Sequence, residues 1–528
     1  MKRIVTLSIL HIALCTLIWA VPADPRLLKE LLEQGDTARY EQMLYHSRIT
    51  NSRMPKVSLR EKAMRRAAAN GPHRGFGVTP LMASRGLLIL VNFADKSFQA
   101  SNTQAQMDSM MNAYHYTHNG ATGSSAQYFS DQSNGAYRPH FDVVGPVTLP
   151  QNMAYYGENN IMPDGDDKLG DMVLHACSIA SQIDGVNLAD YDADNDGEMD
   201  FVYIIYAGKG EADGGGANTI WPASWDMESA VYFGYTSLST TASPSSYTFD
   251  GVKIGNFAYS GELNGITGAR NGIGTPTHEF SHVLGLPDFY DTYYGTNSDN
   301  DKTPGDWDVM DIGPYNNDGK TPPSFSPWEK AFMGWMTPVN LGNEGADITL
   351  YANGTENYTA YQINQSGTYQ AYNEAGVCYY IENRQKNGWD AYLPGHGMLI
   401  WKVDYDQSIW EANEPNSSYD PDNSVANLTG AIHYTIVSAT GDTTGIGKSS
   451  DPFPGTRNKT SWSGITNKPI TEITESNGII TCKYMGGAML TGVDNNDNDN
   501  DKLKRLVNGQ VVIVREGVMY DVLGRMLR

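Results

Sequence analysis

Near the middle of the chain two histidines stand four residues apart, with a glutamate beside the first: His278-Glu279-Phe280-Ser281-His282. On an α-helix residues i and i+4 project from one face, so both imidazoles can reach one point. Glu279 lies about 100° further round the axis and can face a neighbouring position. The chain must therefore build a helix here and bring a third donor to its face. Gly285 follows, where a helix can stop and the chain turn back. Asp288 then offers a carboxylate from a non-helical segment, with Asp291 the competing candidate. His278, His282 and Asp288 together make a donor set for Zn²⁺, and three protein ligands leave a fourth position open. Glu279 is expected beside that position as the base acting on water.

Other features bound what surrounds this segment. At 528 residues, two or three domains are expected. A net charge of −23 argues against nucleic acid and anionic membranes as partners. Met1-Lys2-Arg3, an apolar run from Ile4 to Val21 and then Pro22-Ala23 resemble a secretory signal over 1–23. Cleavage is expected near Ala23, with Ala20 as the alternative; an N-terminal membrane anchor is the competing reading. Residues 24–85 carry 12 Lys/Arg against 6 Asp/Glu and contain two helical signals. These are Asp24-Pro25 before Leu27, Leu28, Leu31 and Leu32, and the capping box Ser58-x-x-Glu61. A basic helical prefix on an acidic body reads as a removable propeptide, with Arg65, Arg66, Arg74 and Arg85 as processing candidates. The prefix contains no cysteine, so thiolate latency is excluded; Asp24, Asp36 or steric cover remains. Of Cys177, Cys378 and Cys482, the last two are a candidate disulfide.

The catalytic region is expected over 86–340. Gly86–Phe93 and Phe201–Ala207 read as buried strands and Asp167–Ile183 as an amphipathic helix, an α/β layer on which the histidine helix packs. Residues 124–150 read as strand and turn. Ser324–Trp335 reads as a short helix ending near Gly334. From 341 to 485, short β-prone runs alternate with turns, which suggests a β-sandwich. Residues 486–528 read as an acidic linker, Asp494–Asp501, followed by a small hairpin unit.

Asp192-Ala-Asp194-Asn-Asp196-Gly197-Glu198-Met-Asp200 matches the first nine positions of a calcium loop, with Glu198 offering its carbonyl. Tyr203 stands where the glutamate of a full EF-hand loop belongs. A Ca²⁺ ion here would stiffen a loop entering a strand, a structural role.

Several stretches together resemble one family. His278–Asp288 follows the metzincin signature with Asp in place of the last His, and Met310 in Trp307-Asp-Val-Met310 takes the place of that group's Met-turn. The segment His278–Asp291, Gly145–Pro150, the 192–200 loop, Trp307–Met310 and Leu393–Asp404 resemble the immune-inhibitor-A-like secreted metallopeptidases, in order, over about 86–405. The resemblance implies an α/β (α+β) metzincin-like zinc protease domain followed by a β-sandwich-like domain. It also implies a secreted endopeptidase acting on protein or peptide substrates, with Glu279 moving a proton from water to the leaving amine. The terminal hairpin resembles the sorting tails of the type IX secretion system. That implies bacterial secretion machinery as a partner and a secreted or cell-surface location. A monomer is expected. The competing function is a non-catalytic surface-binding protein with a structural metal site. A retained Glu279 argues against it, because a structural zinc needs no base.

Overall fold

The computed structural model describes residues 19–50, 85–158, 166, 168–193, 195–293, 302–419 and 426–487, with the backbone of four short strands between 503 and 527. The expectations for residues 1–18, Ser58, Glu61, Arg65, Arg66, Arg74, Asp194 and Asp494–Asp501 lie outside the described residues.

A six-stranded mixed sheet organises the first part. In chain order its strands are β1 (Trp19–Ala20), β2 (Arg85–Asn92), β3 (His140–Thr148), β4 (Phe201–Lys209), β5 (Ala223–Asp226) and, after a two-stranded ribbon of β6 (Thr248–Phe249) and β7 (Val252–Lys253), β8 (Asn256–Leu263). Their order across the sheet is β1-β5-β8-β4-β2-β3. β3, β2, β4 and β8 run parallel; β5 is antiparallel to β8, and β1 is antiparallel to β5.

The apolar runs of β2 and β4 form central strands because both faces are covered. Leu87, Ile89, Val91, Val202, Ile204 and Tyr206 enter one core with the helix Leu169–Ala180. Leu88, Leu90, Phe201, Tyr203 and Ile205 enter the opposite core with Phe280 of the histidine helix. The alternation follows the two-residue repeat of a strand. Asp24 caps the helix Pro25–Gln34 through its side chain, and Gly35 ends it with φ +73°. Leu27 and Leu31 of this helix pack into the first core, while Leu32 is exposed.

Two sequence expectations need correction. Within 124–150, Ser125–Gln132 is a helix capped by Ser124, not strand and turn. Tyr128 and Phe129, which suggested a strand, pack as core aromatics against Phe325 and Trp389. The three described cysteines are free, and Cys378 and Cys482 belong to different hydrophobic cores, so they do not pair.

The chain continues with β9 (Val339–Asn340), β10 (Ala346–Leu350), β11 (Tyr361–Ile363), β12 (Gly376–Arg384), β13 (Gly397–Tyr405), β14 (Tyr434–Ile436), β15 (Ile470–Ser476) and β16 (Ile479–Tyr484). These make a five-stranded sheet, β14-β13-β12-β11-β9, and a three-stranded sheet, β10-β16-β15. One face of the larger sheet places Tyr380, Leu399, Trp401 and Val403 in the core that holds Phe280 and Met310. Ile381, Met398 and Ile400 on its other face share a core with Ile348 and Ile480 of the smaller sheet. The histidine helix packs on the first sheet through Phe280, and Phe289 on the following arm stacks on Tyr434 of the five-stranded sheet. The tail forms a four-stranded antiparallel sheet of β17 (Leu503–Val507), β18 (Gln510–Arg515), β19 (Val518–Tyr520) and β20 (Met526–Leu527). Among the described residues no helix is long and apolar enough to cross a membrane.

Candidate metal centre

The helix Gly274–Val283 is buried along its whole length. After it, Gly285 adopts φ +102°, a conformation that favours glycine, and the Leu286 N–H returns to the Ser281 carbonyl. The chain therefore reverses within three residues of His282 and carries Asp288 back over the helix face.

His278, His282 and Asp288 converge there, all fully buried. The two Nε2 atoms are 3.1 Å apart, and Asp288 Oδ1 is 3.2 Å from each. His278 Nδ1 lies 2.8 Å from the Val309 carbonyl and His282 Nδ1 2.8 Å from the Leu286 carbonyl. A carbonyl only accepts, so each Nδ1 carries the hydrogen and each Nε2 presents a lone pair. Two lone pairs and a carboxylate oxygen then face one another, and Asp288 Oδ1 accepts no hydrogen bond. Such a cluster calls for a cation. Metal–ligand bonds of about 2.0–2.2 Å in tetrahedral geometry put ligand atoms about 3.3 Å apart, close to what is seen. The donor set thus fits zinc. Burial holds His282 below the usual imidazole range, which favours the neutral form a metal needs.

Asp291 is turned elsewhere: it accepts from the Ser418 N–H and hydroxyl and from the Tyr293 N–H. Met310 is buried, in a turn whose backbone serves both arms of the site. Asp308 Oδ1 accepts from the Met310 N–H, Val309 holds His278, and the Met310 carbonyl accepts from the Phe289 N–H.

Glu279 is fully buried beside the cluster, and burial pushes its carboxyl well above the usual range despite one backbone donor. That donor is the Val21 N–H, 2.8 Å from Oε1. Residues 20–22 lie beside the site. The Tyr290 hydroxyl donates to the Ala20 carbonyl, Trp221 Nε1 to the Val21 carbonyl at 3.0 Å and the Tyr315 hydroxyl to the Pro22 carbonyl. β1 pairs with the free edge of β5, Trp19 opposite Ser224 and Ala20 opposite Ala223. Side chains around the cluster thus hold the backbone carbonyls of Ala20, Val21 and Pro22. Tyr290 and Trp221 were not singled out: Tyr290 stands two residues after Asp288, but nothing in the spacing around Trp221 marks it.

Residues 84–337 match the immune inhibitor A peptidase M6 catalytic domain. The pre-pro-metalloprotease PrtV of Vibrio cholerae (strain M66-2) is 28% identical over 302 residues, covering 50% of this chain and 31% of that protein. Immune inhibitor A of Bacillus thuringiensis subsp. alesti is 29% identical over 257 residues, covering 43% of this chain and 35% of that one. The chain spans about a third of the length of these curated relatives. The M6 match includes His278, Glu279, His282 and Asp288 and ends before β9.

In the 192–200 loop, Asp192 accepts from the Asp196 and Gly197 N–H groups, and Asp200 accepts from the Ala193 N–H. The Glu198 carboxylate pairs with Lys253 at 2.6 Å.

Proposed function

We propose that the chain is a secreted zinc endopeptidase of the M6 type. The observation that carries this reading is a three-donor cluster with a buried carboxylate, Glu279, beside it and an extended peptide laid across both. A structural zinc is closed by four protein ligands, and the described residues gather three. Zinc, when bound, supplies Lewis acidity toward the scissile carbonyl and makes water nucleophilic near neutral pH. Glu279 takes a proton from water at its carboxylate and returns it to the leaving amine. Tyr290 and Tyr315 donate to backbone carbonyls of the substrate. The edge of β5 aligns the substrate as an added antiparallel strand, a backbone-based grip that accepts many sequences. Met310 is read as the Met-turn of a metzincin-like site.

Residues 20–24 hold the place of that substrate, which supports latency by steric cover. Signal cleavage after Ala20 leaves the amino end of Val21 against Glu279; cleavage after Ala23 clears it. A hydrogen bond to a charged group is worth about 1.5–3 kcal/mol, roughly tenfold or more in competition with substrate. A chain starting at Asp24 keeps the helix cap. It is expected to cleave an end-blocked peptide about tenfold or more faster than one starting at Val21, by the same hydrogen bond. Equal rates would remove the latency reading. No internal cleavage by either chain would remove the endopeptidase.

The 192–200 loop is read as a structural Ca²⁺ site formed by Asp192, Asp194, Asp196, Asp200 and the Glu198 carbonyl. Calcium chelation is expected to lower the Tm of the wild type, with a smaller response in Asp192→Ala and Asp194→Ala. Undiminished calcium dependence in both variants leaves the loop a turn. The signal, the sorting-like tail and export to the cell surface or medium belong to the same proposal.

A further inference from the structure

The M6 match ends at residue 337, yet the third metal donor is held by a residue from beyond it. The Asp288 N–H donates to Asn413 Oδ1 at 2.7 Å, and Asn413 Nδ2 donates to Asp288 Oδ2 at 2.8 Å. The chemistry fixes the amide's orientation: a backbone N–H can only donate and a carboxylate can only accept. Both Asn413 and Asp288 are buried to 1% exposure or less. This pair occupies Oδ2 and leaves Oδ1 toward the two imidazoles.

The local chain is built to place that amide. Asp406 caps the short helix Gln407–Glu411, and Ile409 and Trp410 anchor it in the core that also contains Phe280. The helix ends with Asn413 at φ +56°, a left-handed position that asparagine tolerates. The next residues continue along the ligand arm. Asn416 Nδ2 donates to the Phe289 carbonyl at 2.6 Å, Ser417 meets Thr292, and Ser418 holds Asp291.

We propose that Asn413 is a positioning residue for the metal, acting through Asp288. This inference rests on the zinc reading of the site. Groups that orient a metal ligand typically carry about 10–100-fold in metal affinity.

The test is zinc affinity, measured by competition with a chromophoric chelator, together with the visible spectrum of the Co²⁺-substituted full chain. Asn413→Gly removes the amide without straining the left-handed backbone. Asn416→Ala, which loses that side chain's four hydrogen bonds to Phe289, His433 and Tyr434 but touches no ligand, is the control. Asn413→Gly is expected to weaken zinc binding by about 10–100-fold and to alter the Co²⁺ spectrum, while Asn416→Ala leaves both close to wild type. Asn413→Asp keeps the shape and sets a carboxylate against Asp288. It is expected to weaken zinc as well, and it carries the test if the glycine variant does not fold. A folded Asn413 variant with wild-type affinity and spectrum overturns the inference while the zinc site stands. An equal loss in Asn416→Ala overturns it too, because the segment then acts only through folding. A wild-type chain that takes up no zinc at this cluster overturns both readings.

Discussion

Glu279→Ala is expected to bind zinc as the wild type does, fold normally and lose peptide cleavage by about 10²–10⁴-fold or more, the range that general acid–base groups supply. The reasoning starts from what Glu279 touches. It is not one of the three converging donors, and its Oε1 meets a backbone N–H of the residues that lie across the site. Its other oxygen is buried and accepts no hydrogen bond, an arrangement that costs about 1–3 kcal/mol in folding. Removing the carboxylate relieves that cost, so the variant should be no less stable than the wild type beyond the small cavity it leaves. A group buried at a cost and aimed at a peptide is placed for chemistry. The measurement is kcat/KM on an end-blocked peptide beside metal content and Tm. Wild-type turnover in a metal-loaded variant would end the proposal that Glu279 is the base.

The largest stability effect is expected at Arg384. Its guanidinium is fully buried between the five-stranded sheet and the metal-bearing region. Nε lies 2.8 Å from Glu382 Oε1, an ion pair whose angle falls outside that of a hydrogen bond. Nη1 donates to Asp390 at 3.1 Å and Nη2 to the Phe325 carbonyl at 3.0 Å, and the group stands over the Trp401 ring. Asp390 in turn accepts from the Ser324 N–H, and Glu382 from Trp401 and Tyr358. Arg384→Met keeps the side-chain volume but leaves two buried carboxylates without their cation. Breaking a buried pair in this way costs about 3–5 kcal/mol. Urea unfolding should show that loss. A change below about 1 kcal/mol, the scale of an exposed pair, would mean the cluster is solvated.

What the sequence made legible followed local rules. His278 and His282 are set by the helix repeat, the turn at Gly285 by its backbone freedom, and the strands of Gly86–Phe93 and Phe201–Ala207 by burial on both faces. Each is decided within about ten residues. The elements that escaped depend on partners far along the chain. Tyr128 and Phe129 suggested a strand because aromatic residues favour strands, yet packing against Phe325 and Trp389 made them one face of a helix. The choice between Asp288 and Asp291 turns on Asn413 and Ser418, more than a hundred residues away, and no local spacing encodes that. Likewise the contact of Val21 with Glu279 spans 258 positions. Nothing in the 1–23 segment, read as a signal, marks Val21 as the residue that meets Glu279.

The most direct measurement is zinc back-titration. The chain is stripped with a chelator, and bound zinc and cleavage of an end-blocked peptide are followed together as zinc is returned. Cleavage should be absent without metal and rise in step with zinc to one equivalent, and Asp288→Ala should break that coupling by losing the metal. Full cleavage by the stripped chain, or one bound zinc at His278, His282 and Asp288 with no cleavage even after residues 21–23 are removed, would contradict the assignment.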